Sequence, residues 1–153
     1  MKRHLTWIPA LFIAFVFIQS LFFKFTGSEE TVIIFTTIGA WMSSIGLPDV
    51  IAGNFALHGG IAVGSVELVA SVLVLMPKTR LYGAVVALFV ISGAIFFHLF
   101  TPLGVNRIVD AAGNTDGGVL FAMACGVWVC AAGLIIYERI SHLKNPSRDA
   151  KFG

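Results

Sequence analysis

Glu67, Lys24, His58 and His98 are the side chains of this sequence whose types and surroundings could do chemistry. A carboxylate can relay a proton or pair with a cation, lysine can hold an acceptor oxygen, and two histidines at one depth can ligate a haem iron axially. Glu67 lies near the centre of an apolar run from Ala56 to Met76. A carboxylate at that depth costs at least about 2.5 kcal/mol in a bilayer, so it must face protein and find a partner. That makes Glu67 the candidate catalytic residue, with helix-packing hydrogen bonding as its plainer alternative. Cys125 and Cys130 are the other reactive types. Five residues apart on one helix, they are separated by about 7.5 Å of axial rise, too far for a disulfide.

The elements that must position these residues follow from composition. Charged residues make up 12% of the 153 and apolar residues 58%, against about 25% charged in soluble domains, which places the chain among polytopic membrane proteins. The sequence predicts one all-α domain, a four-helix transmembrane bundle with spans near 5–25, 56–76, 81–101 and 117–137. Each run can cross a hydrocarbon core of about 30 Å. The first is too long for the apolar core of a cleaved signal peptide and is read as a retained span.

Between the first two spans, Ser28-Glu29-Glu30-Thr31 opens a segment too short to cross, with Ile34, Ile38, Trp41 and Ile45 on one face. It reads as an amphipathic helix at the membrane interface or a lid over the bundle. Residues 48–55 read as a loop. In the second span Gly60, Gly64, Glu67 and Ser71 share a face, and small residues of this kind let another helix approach closely.

Depth then sorts the candidates. His58 is in the first turn of the second span, His98 in the last turn of the third before Thr101-Pro102, and Lys24 at the end of the first. These three share one level and form the candidate cofactor-binding set, with interfacial hydrogen bonding, or a Lys24 ammonium extended to the interface, as the alternatives. Glu67 lies about 13 Å below His58 and half a turn round the helix, so those two are not one site. No direct ion pair from Lys24 to Glu67 is expected across that depth; serine, backbone or Gln19 is the expected partner, with Glu67 as a neutral hydrogen-bonding acid.

Phe23-Lys24-Phe25-Thr26-Gly27, Gly64-Ser65-Val66-Glu67-Leu68, Pro77-Lys78-Thr79-Arg80 and Gly93-Ala94-Ile95-Phe96-Phe97-His98 together resemble the pattern of the DoxX family of small four-helix membrane proteins, over the first three spans. Ser20-Leu21 and Pro77 stand where many relatives have glycine, and these departures touch packing only. The resemblance implies membrane redox chemistry. It leaves the lysine, glutamate and histidine as a polar cluster without an assigned mechanism.

Two functional classes follow. In one, the chain is a quinone-linked redox subunit that holds a quinone headgroup near Lys24, His58 and His98, with Glu67 handling protons and electrons supplied by a partner. Haem b between His58 and His98 is a weaker cofactor reading, and no metal motif is visible. In the other, the chain is a non-catalytic lipid-binding or structural subunit of a larger membrane complex. Both call for a protein partner or a homo-oligomer. No nucleic-acid module or phosphate-binding loop is present.

Lys2, Arg3, Lys78, Arg80, Arg139, Lys144, Arg148 and Lys151 collect on one side; Glu29, Glu30, Asp49, Asp110 and Asp116 collect on the other with Arg107. The positive-inside rule therefore places both termini in the cytoplasm of a cell-membrane protein. Single cysteines at Asp49→Cys and Ser147→Cys test this. The first is expected to react with an impermeant reagent from outside and the second only from the cytoplasm; a position 49 probe reactive only from the cytoplasm would reverse the topology.

Overall fold

The computed structural model describes residues 5–144, with 141–144 as helix backbone alone. The segments 1–4 and 145–153, which carry part of the charge asymmetry and labelling position Ser147, lie outside the described residues. Among the described residues five helices follow one another: α1 (Trp7–Thr26), α2 (Glu29–Ser44), α3 (Asp49–Leu75), α4 (Arg80–Phe100) and α5 (Val119–Lys144). Of these, α1, α3, α4 and the 119–140 part of α5 are long and apolar enough to cross a membrane. The architecture is the expected all-α one, with a short helix between the first two spans.

Local chemistry sets the ends. Pro9 sits in the first turn of α1, where its missing N–H is no loss. Gly27 ends α1 at a positive φ of 63°, and its N–H returns to the Phe23 carbonyl; glycine tolerates that left-handed cap best. Ser28 caps α2 by accepting from the Thr31 N–H, and Glu29 and Glu30 fill the first turn, where the helix dipole favours acids.

The expected loop over 48–55 is helix instead. Pro48 stands at the N-cap of α3 and Asp49 in its first turn, so the proline at the head of the expected loop leads into the helix. At 27 residues, α3 is about 40 Å long and outruns a hydrocarbon core of about 30 Å. Its added first turns are where α2 packs. The buried stripe of α2 is Thr31, Phe35, Ile38 and Gly39. The expected face was displaced: Ile38 is buried, Ile34 and Trp41 are half-buried, and Ile45 is exposed beyond the helix end.

The four spans form a ring in which α1 packs on α3, α3 on α4, α4 on α5 and α5 back on α1. Alanines dominate its centre, including Ala10, Ala70, Ala84, Ala87, Ala124 and Ala131, interlocked with Ile13, Phe17, Val74, Val127 and Leu134. Small residues let helices meet closely where lipid removes the hydrophobic drive between them. The glycine face of α3 works the same way but serves two neighbours: a methyl at Gly60 would meet Thr31 of α2, and one at Gly64 would meet Phe25 of α1. Trp128 is 43% exposed and donates from Nε1 to Ser92 Oγ at 3.2 Å across the α4–α5 seam.

At the end of the ring formed by the α3–α4 turn, Arg80 is the first residue of α4 and is buried. It donates to the Val74 carbonyl (3.0 Å) and to Thr6 Oγ1 (2.7 Å) and lies 4.5 Å from the centroid of the Trp7 ring. This arginine therefore ties three elements together, in addition to adding to the loop charge.

The tightest helix contact is at Gly83, where an added methyl would sit 2.7 Å from the Leu73 carbonyl carbon and closer still to the Val74 amide nitrogen. Backbone cannot yield there as a side chain can. Gly83→Ala is expected to destabilise the bundle by about 1–3 kcal/mol. Gly133→Ala, with nothing within 4 Å, is expected to be neutral or to stabilise by up to about 1 kcal/mol. Unfolding of the two purified variants, followed by helix circular dichroism, checks the contrast.

Candidate functional site

A cavity of about 670 Å³ opens among the five helices, lined by Val16, Phe17, Phe35, Ile38, Phe55, Phe97 and other apolar side chains. Six polar or charged groups interrupt this lining: Ser20, Lys24, Glu67, Ser92, His98 and Arg107. That volume and that ratio of apolar wall to a few placed polar groups are those of a small-molecule site.

Its most concentrated chemistry lies between α1 and α3. Lys24 Nζ is 2.5 Å from Glu67 Oε2 and 3.0 Å from Ser20 Oγ. Ser20 has one hydroxyl proton to give, and both Glu67 Oε2 at 2.7 Å and the Phe17 carbonyl at 2.8 Å are within its reach. The Lys24 and Glu67 side chains are 16% and 7% exposed. This direct pair corrects the expectation that Lys24 would lie too far above Glu67. Side chains lean toward the N-terminus of their own helix, and α1 and α3 run in opposite directions, so lysine reaches down while glutamate reaches up. Gln19, the expected partner, is exposed. Serine was among the expected partners, and Ser20 takes that place.

His98 is buried, and its Nδ1 lies 2.7 Å from the Gly104 carbonyl oxygen. A carbonyl only accepts, so Nδ1 carries the proton and Nε2 is the nitrogen left over. The Phe121 ring meets the imidazole edge-on at 5.7 Å. His58 is exposed and is not among the residues that line the cavity. Lys24, Glu67 and His98 are thus brought to one cavity, and His58 is not. The expected separation of Glu67 from His58 holds, but Glu67 joins the Lys24 level from which it was set apart.

Arg107 is the cavity-lining residue to which sequence reasoning assigned no role. It sits in the α4–α5 connection, where Val109 N–H to the Asn114 carbonyl (2.8 Å) and Asp116 N–H to the Arg107 carbonyl (3.2 Å) form a small hairpin that turns at Gly113. The guanidinium is 1% exposed, donates from Nη2 to Glu30 Oε1, and has Nε 3.7 Å from Asp116 Oδ2. Beside it, the Ala111 N–H donates to Glu29 Oε1 at 2.7 Å, so both acids at the start of α2 grip this connection. Asp116 also caps α5, accepting from the Gly118 and Leu120 amides at 3.0 and 3.1 Å. Burial pushes its carboxyl up, but those two amides and the Arg107 charge outweigh this and hold it below the ordinary aspartate value. The signal for Arg107 was a single cation in an otherwise acidic set of segments.

No protein-family model, curated protein or solved structure matches this chain in comparisons with each.

A buried pair that loses one member leaves the other charge stranded, which costs about 3–5 kcal/mol. Glu67→Leu alone or Lys24→Met alone is therefore expected to destabilise strongly. The double replacement Lys24→Met with Glu67→Leu is expected to recover most of the loss. Chemical unfolding of the four proteins of this cycle, in one detergent, measures the coupling.

Proposed function

We propose that this chain is a DoxX-like membrane subunit that holds a quinone-type molecule in the cavity and serves membrane redox chemistry together with a partner that supplies electrons. The reading is supported by one observation above others: a mostly apolar cavity whose polar lining includes a lysine, a serine, a glutamate and a histidine. An apolar ring with a tail fits the aromatic walls. Lys24, with Ser20 beside it, is suited to hold a ring oxygen, because Nζ has a third proton beyond its bonds to Ser20 and Glu67. Glu67 and His98 are suited to exchange protons with a ring that is reduced and reoxidised. His58 has no part in this proposal, and with it goes the pair of histidines that axial ligation of haem b requires.

The full chain, purified from membranes in mild detergent, is expected to retain extractable quinone and to rebind a short-tailed benzoquinone with quenching of tryptophan fluorescence. Lys24→Met is expected to weaken that binding about 10–100-fold, the worth of a hydrogen bond from a charged donor. Phospholipid in place of quinone in the extract, with no quenching, would instead identify a lipid-binding or structural subunit.

A further inference from the structure

Arg107 carries donors that the protein leaves unused. Its side chain is 1% exposed. Nη2 serves Glu30, and Nε makes only its long contact to Asp116, but Nη1 has no hydrogen-bond partner among the described residues. A buried donor without a partner costs about 1–3 kcal/mol, and proteins seldom leave one unless something else fills the place. Arg107 lines the cavity that Lys24 and His98 also line.

Charge decides what that occupant is. One guanidinium faces two carboxylates, Glu30 and Asp116, so the cluster is net negative by one. Lys24 is likewise matched by Glu67. An incoming carboxylate or phosphate would find no uncompensated positive charge and would be repelled by the two acids. A neutral acceptor oxygen takes the N–H without that penalty.

We propose that Arg107 is a ligand-binding residue whose Nη1 donates to a neutral, carbonyl-type oxygen of an apolar molecule in the cavity, and that the cavity thereby rejects anionic amphiphiles. This rests on the reading of the cavity as a quinone-type site and specifies the acceptor it must present. Glu30 and Asp116 act as positioning residues, since together they aim the guanidinium.

The test uses the full-length protein in detergent and three probes with comparable tails: a decyl benzoquinone, decylbenzene and oleate. Wild type is expected to bind the quinone at least about tenfold more tightly than either of the others. Arg107→Lys keeps a charge facing Glu30 and Asp116 but removes the fork's further arm, and is expected to weaken quinone binding about tenfold or more while leaving decylbenzene binding unchanged. A measurement on wild type alone avoids any folding defect of the variant: with carbonyl-13C quinone, both infrared carbonyl stretches are expected to move to lower frequency on binding, one held by Lys24 and the other by Arg107.

Quinone binding that is lost in Lys24→Met but unaltered in Arg107→Lys, or one carbonyl band that moves while the other does not, would overturn the role of Arg107 and leave the proposed function standing. Preference for oleate, or no binding of quinone by wild type, would overturn both.

Discussion

A charge cannot stay alone among apolar helices, and the Lys24–Glu67 pair is where this bundle meets that constraint. Glu67 is set about two thirds of the way along α3 on the face that carries Gly60, Gly64 and Ser71, so it turns toward protein and away from lipid. A donor brought to it relieves its burial, and α1 supplies two, Lys24 and Ser20. Ion pairing and hydrogen bonding then set the axial register of α1 on α3. Gly64 beneath the pair lets Phe25, Leu21 and the Lys24 stem come close enough for the contact to form. Such a pair is a modest source of stability, because desolvation offsets most of its attraction. Its larger consequence is geometric, since it holds two titratable groups at the wall of a cavity.

A second polar layer closes the acidic end. Glu29 and Glu30 begin α2, and both reach the α4–α5 connection, one to the Ala111 amide and one to Arg107. Asp116 caps α5 and faces the same guanidinium. One buried arginine thus links the start of α2, the hairpin and the start of α5. The aromatic contacts of Trp41 with Phe96 and Phe97, and of Phe55 with Phe35 and Phe97, join α2, α3 and α4 in the same region. Between this layer and the Lys24–Glu67 pair lies the cavity. Its shape depends on α2 lying against α3, since Ile34, Phe35 and Ile38 of α2 and Phe55 of α3 are part of its lining.

Span number, the short helix, the glutamate that must face protein, and the lysine and late histidine as candidates were all legible from residue types and spacing. Each depends on a local or one-dimensional quantity: hydropathy along the chain, helical period, or the cost of a charge at a given depth. Tertiary structure decided the rest. Whether Lys24 meets Glu67 depends on antiparallel helices leaning their side chains toward each other, which rise per residue alone cannot express. His58 and His98 were expected at one depth, yet depth does not tell which face of a helix turns inward, and only the packing separates a buried histidine from an exposed one. Arg107 looked like a loop charge because its partners are 77 residues earlier in α2 and across a hairpin; contacts of that range come from the fold as a whole, and no local pattern announces them.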